Sequence, residues 1–140
     1  MKEYISKKVA DTEKIAKDLA SKLTGGELVA LSGNLGAGKT VFVKALAQAL
    51  GVKDNITSPT FVLMKVYAPD NKKIKKFVHV DCYRLEGKED LADIGLGDYL
   101  SDSDNIVVVE WADKVLNLPD KTIRVNIDYR GGDQRHIVID

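Results

Sequence analysis

The sequence predicts an α/β fold on a mixed parallel and antiparallel central sheet flanked by helices, and three observations carry that prediction. Gly33-Asn34-Leu35-Gly36-Ala37-Gly38-Lys39-Thr40 joins the apolar run Leu28-Val29-Ala30-Leu31 to a helical pattern over 41–50. Strand, glycine-rich loop and helix with G-x-x-x-x-G-K-T at the join form a phosphate-binding P-loop. Two strand patterns, 61–67 (FVLMKVY) and 74–80 (IKKFVHV), flank Ala68-Pro69-Asp70-Asn71-Lys72-Lys73 and read as an antiparallel hairpin. Ile106-Val107-Val108-Val109 is an unbroken apolar run, as expected of a strand buried on both faces. Together these describe a P-loop NTPase-like domain, with one domain spanning residues 1–140.

Length and composition agree. At 140 residues the chain can bury a proper core, and 44% hydrophobic with 30% charged residues suits a soluble protein. Lys plus Arg balance Asp plus Glu at 21 each, so a domain that grips nucleic acid on its own is not expected. The single cysteine, Cys82, allows no internal disulfide and suits a reducing cytoplasm. The start MKEYISKKVADTEK lacks an apolar signal core, and no stretch approaches membrane-spanning length.

In order, residues 2–9 alternate loosely and predict a short edge strand. Asp11-Thr12-Glu13 reads as a helix start, with an acid near the positive end of the dipole. Ile15, Ala16, Leu19, Ala20 and Leu23 give that helix one apolar face, and Thr24-Gly25-Gly26 ends it. After the P-loop, Phe42, Ala45, Leu46, Ala49 and Leu50 form the buried stripe of a second helix, and Gly51 sits where a C-terminal cap belongs. Pro59 keeps Ser58 extended, leaving Thr57, Ser58 and Thr60 in a loop before the hairpin. The four lysines 72, 73, 75 and 76 read as a solvated hairpin tip. Residues 88–94 and 112–118 predict short helices, the second ended by Pro119, with a further turn at 98–100 between them. Residues 122–128 and 134–140 predict a hairpin around Gly131-Gly132.

The P-loop's chemistry follows from its residue types. Glycines admit backbone angles that turn successive N–H groups inward, and the helix N-terminus adds its dipole to the same anion site. Lys39 then reaches the β- and γ-phosphates and the Thr40 hydroxyl is placed for Mg²⁺. Two strands end in an acid, at Asp81 and at Glu110, and either fits a Walker-B-like role. Ser58, Thr57 and Thr60 occupy the connection that senses γ-phosphate in many switch proteins. By alternation Phe77, His79 and Asp81 share one strand face, and His79 reads as a packed strand residue. Trp111 packs in the core or stacks near the nucleotide. Arg84 either stabilises γ-phosphate charge or pairs with Glu86, Glu89 or Asp90.

Four motifs in order, Gly33-x-Leu35-Gly36-Ala37-Gly38-Lys39-Thr40, Ser58-Pro59-Thr60-Phe61, His79-x-Asp81-x-Tyr83-Arg84 and Glu110-Trp111, resemble the bacterial TsaE (YjeE) family over nearly the whole chain. The resemblance implies a small P-loop ATPase of tRNA threonylcarbamoyladenosine biosynthesis in the cytoplasm, acting with TsaB and TsaD proteins and meeting tRNA only through that complex. It implies that Gly36, Ala37, Gly38, Lys39 and Thr40, with Asn34, Leu35 and Val41 beside them, hold ATP. It further implies Thr40 and Glu110 as Mg²⁺ ligands, Asp81 as the catalytic acid and Thr60 as a switch residue. Thr12, Trp111 and Arg135 match positions around the nucleotide. Two positions depart from the family's pattern: Asn34 stands where Asp is usual, and Val41 where a second Thr is common.

Other function classes are weighed on the same residues. A small-metabolite kinase usually carries an arginine-bearing lid, whereas the only arginines here are Arg84, Arg124, Arg130 and Arg135. A GTP switch would carry Asn-Lys-x-Asp, which is absent. A nucleotide-binding partner protein without turnover is the reading if Asp81 and Glu110 are not placed for chemistry.

Overall fold

The computed structural model describes residues 1–34, 36–57 and 64–140. The chain begins with strand β1 (Lys2–Ser6), helix α1 (Val9–Ala20), strand β2 (Leu28–Ser32) and helix α2 (Lys39–Ala49). It continues with β3 (Met64–Tyr67), β4 (Lys76–Asp81), the short helix α3 (Gly97–Leu100), β5 (Asn105–Glu110), β6 (Ile123–Gly131) and β7 (Gln134–Ile139). The strands form one seven-stranded sheet in the order β1-β7-β6-β2-β5-β4-β3. Its centre, β6-β2-β5-β4, is parallel, and antiparallel pairs β7–β6, β1–β7 and β4–β3 extend it to both edges. The sheet is therefore mixed, as the sequence predicts.

Alternation along the strands builds two cores. Val29, Leu31, Phe77, Ile106, Val108, Val125 and Ile127 face α1 and α2, whose Ile15, Ala16, Leu19, Phe42, Val43 and Leu46 cover them. Leu28, Ala30, Val78, Val80, Val107 and Val109 face the other way, onto Cys82, Leu91, Leu96, Ala112 and Val115. All six residues of β5 are buried, which is why its sequence shows no polar alternation.

Boundaries differ from the sequence prediction where side chains compete with the backbone. α1 starts at Val9, two residues early, and the Asp11 carboxylate reaches back to accept the Lys7 N–H at 3.0 Å. It ends at Ala20, before Thr24. In α2 the buried stripe takes Val43 and Ala47, while Ala49 is exposed. Gly51 closes that helix at φ +101°, as expected. Residues 61–63 of the expected strand lie outside the described residues.

Two expected helices do not form. At 88–94, Asp90 and Asp93 each accept the other's backbone N–H, at 2.9 and 3.0 Å, which closes one tight turn. At 112–118 only a single 3₁₀ turn forms, Ala112–Lys114, and Val115 is extended. The two segments instead meet each other: Asp90 bridges Leu116, and the Leu116 N–H donates to the Glu89 carbonyl at 2.9 Å. Among the described residues, no helix is long and apolar enough to cross a membrane.

Candidate functional site

The glycine-rich loop leaves the sheet at its middle, because β2 lies between β5 and β6. Gly33 has φ +146°, and a Cβ there would run into the Ile127 carbonyl oxygen of β6, so no larger residue fits. The loop then folds on itself, with the Ala37 N–H donating to the Asn34 carbonyl at 3.0 Å. Gly38, at φ +102°, caps the start of α2 in the left-handed region. Lys39 is the first residue of that helix and its side chain bends back over the loop. Its Nζ donates to the Gly33 carbonyl at 2.5 Å and the Asn34 carbonyl at 2.8 Å, and lies 4.1 Å from the Trp111 ring centre. Burial lowers its pKa, while the negative charges of Glu110, Asp113 and Asp81 pull the other way. Thr40 is exposed and Val41 half-buried in the same first turn. Leu35 lies outside the described residues.

The two candidate acids stand side by side. Asp81 and Glu110 are register partners at the carboxyl ends of parallel β4 and β5, and Glu110 pairs in turn with Leu31 at the end of β2. Carboxyl ends of parallel strands are where open α/β sheets place ligands. Asp81 is half-buried and accepts the Tyr83 N–H at 2.9 Å. Glu110 is only 3% exposed, a position costly for a lone carboxylate. His79 relieves that cost: its Nε2 lies 2.5 Å from Glu110 Oε2. His79 is packed, as expected, but it also has a polar partner that the sequence reading missed. The signal was there, since His79 shares the Asp81 face one step back on β4.

Around this core the structure gathers some expected residues more closely than others. Arg135, on β7, donates from Nε to the Ala37 carbonyl at 2.8 Å and lies over the Tyr129 ring at 4.5 Å. Thr12 is buried and its hydroxyl meets Ser6 Oγ at 2.7 Å, and Ser6 is the β1 register partner of Arg135. Trp111 has φ +56°, a left-handed conformation uncommon for a bulky residue and frequent where strain serves a site. Its ring meets Tyr83 at 4.9 Å and both rings lie near Lys114 Nζ. Arg84 is exposed. Ser58 and Thr60 lie outside the described residues.

Among the described residues no group of three or more His, Cys, Asp or Glu side chains is gathered for a metal. Among the described residues at the loop and the neighbouring strand ends, the oxygen donors are the Thr40 hydroxyl and the carboxylates of Asp81 and Glu110. So sparse a set fits Mg²⁺, which takes most of its ligands from phosphate and water, better than an ion needing a full protein cage.

Comparison with known proteins agrees with this fold. Residues 6–137 match the family described as threonylcarbamoyl adenosine biosynthesis protein TsaE. The tRNA threonylcarbamoyladenosine biosynthesis protein TsaE of Streptomyces coelicolor is 42% identical over 131 residues, covering 89% of this chain and 86% of that protein. The protein of the same name from Treponema pallidum is 35% identical over 136 residues, covering 96% and 97%. Among solved structures, the crystal structure of YdiB from Bacillus subtilis superposes with a TM-score of 0.73 at 29% identity, over 99% of this chain and 83% of that one.

Proposed function

The chain belongs to the TsaE family, and from that premise we propose that it is the ATP-hydrolysing component of tRNA threonylcarbamoyladenosine biosynthesis. One observation carries the hydrolytic part of this reading. Asp81 and Glu110 sit in register on neighbouring strands, beside the strand that leads into the Lys39 loop. A loop alone binds phosphate; paired strand-end acids are what metal binding and water activation require in addition.

In this reading Asn34, Gly36, Ala37, Gly38, Lys39, Thr40 and Val41 form the ATP-binding loop together with Leu35. Lys39 exchanges the carbonyls of Gly33 and Asn34 for phosphate oxygens, a favourable trade for a buried ammonium. Thr40 and Glu110 hold Mg²⁺, whose chemistry is to neutralise charge on the phosphates. Asp81 orients the attacking water, and Thr60 serves as the switch residue. Arg135 braces the loop through Ala37, with Thr12 one link behind it. Trp111 lines the phosphate end of the site through its contact with Lys39.

Membership of the family supports TsaB-type and TsaD-type proteins as the partners in this reading, with tRNA engaged only through them, in the cytoplasm. The zero net charge supports indirect contact with tRNA. The test is ATP turnover by the purified chain alone, then with the two partner proteins, with tRNA added last. Stimulation by the partners supports the reading. Transfer of phosphate to a small acceptor without partners would replace it with a kinase.

A further inference from the structure

Glu110 and His79 are both buried, at 3% and 1% exposure, and their contact joins β5 to β4. The register explains why they meet. Asp81 pairs with Glu110 and His79 pairs with Val108, so His79 lies on the same sheet face, one step behind the two acids. Leu31 flanks Glu110 on its other side and is fully buried. The carboxylate thus has an apolar wall on one side and an imidazole on the other. Among the described residues, His79 Nδ1 is buried with no hydrogen-bond partner. A ring with one nitrogen unpartnered and the other against a carboxylate favours the tautomer with its proton on Nε2, donating to Glu110.

We infer that His79 is a positioning residue: it occupies Oε2 of Glu110, fixes the carboxylate rotamer, and presents the remaining oxygen for the divalent ion. This rests on the ATP–Mg²⁺ reading of the site. Outer partners of metal ligands commonly act this way, by fixing ligand orientation before the ion arrives. The alternative is that His79 only fills space in the core beneath α2.

The full chain with substitutions at His79 separates the two. His79→Gln keeps an amide donor at similar reach, His79→Asn is too short, and His79→Leu fills the space without a donor. In the wild-type protein without nucleotide or metal, a long-range nitrogen–proton spectrum should place the His79 proton on Nε2. With Mn²⁺ as the probe, paramagnetic resonance titration of the ATP complex should show about 10- to 100-fold weaker metal binding in His79→Leu and His79→Asn. His79→Gln should recover most of that loss, and ATP affinity in chelator should stay within about twofold of wild type in all three variants.

Unchanged Mn²⁺ affinity in the Leu and Asn variants would overturn the inference while leaving the function intact. Failure of Gln to do better than Asn would assign His79 to packing. If His79→Leu does not fold, the Gln and Asn variants carry the comparison. A wild-type protein that binds neither ATP nor Mn²⁺–ATP would remove the underlying function as well, an outcome distinct from the other two.

Discussion

Arg135 donates a hydrogen bond to the carbonyl of Ala37, 98 residues earlier in the chain. The loop is therefore held from β7 as well as from its own strand and helix. The Arg135 guanidinium also lies over Tyr129 and touches the carbonyls of Gly132 and Gln134, so it is fixed before it meets the loop. A charge-assisted hydrogen bond of this kind contributes about 1.5–3 kcal/mol. Arg135→Ala should raise the Kd for ATP about tenfold by calorimetry while the chain stays folded by circular dichroism. An unchanged Kd would show that the loop holds its shape without this brace.

Lys39 and Trp111 give a direct optical test, since Trp111 is the only tryptophan. With the ammonium 4.1 Å from the ring centre, moving Lys39 onto a phosphate changes the indole's surroundings. ATP should shift Trp111 emission in the wild type. In Lys39→Ala the emission of the free protein should already differ, ATP should add nothing, and calorimetry should detect no binding. Retained ATP affinity in Lys39→Ala would take the loop out of nucleotide binding.

Asp81 separates binding from turnover. Asp81→Asn keeps an acceptor for the Tyr83 N–H, so the strand end should hold its shape. The expected result is near-normal ATP affinity with turnover down by about 100-fold or more, measured with partner proteins present. Normal turnover would pass the catalytic assignment to another group.

Much of this was legible in the sequence for a local reason. The P-loop, the β5 run and the apolar face of α1 are each specified by residues close together in the chain. So was the shared face of Phe77, His79 and Asp81. The misread segments, 88–94 and 112–118, fail for the opposite reason. Each is locally amphipathic, but each is held by the other through the Asp90–Leu116 bridge, which lies beyond any local window. The same holds inside the site. His79 against Glu110 and Arg135 against Ala37 join residues 31 and 98 positions apart, and become visible only once the strand order is known.

Cys82 gives a pH-dependent test. It is fully buried beside the acids, and burial, helped by the charges of Asp81 and Glu89, pushes its thiol from 9.0 up to about 12. The folded-state value lies above the unfolded one. Stability from the neutral thiol is therefore fully present below about pH 9 and is lost as pH climbs from there toward 12. The three-unit shift corresponds to about a thousandfold less thiolate at pH 8 in the folded protein. Alkylation by iodoacetamide at pH 8 should accordingly be slow in the native protein, fast in denaturant, and should follow global unfolding between them. Rapid labelling of the native protein would place Cys82 in contact with solvent.

The strand order has a consequence for biosynthesis. β2, which carries the phosphate loop, is made early, yet both of its neighbours, β5 and β6, are translated much later. Until residue 110 has left the ribosome the nascent loop strand has no sheet to join, and its apolar residues must wait for partners. A truncation before Asn105 should therefore leave a chain that chaperones hold and proteases clear, and ATP affinity should arrive abruptly with the segment from Asn105 onward.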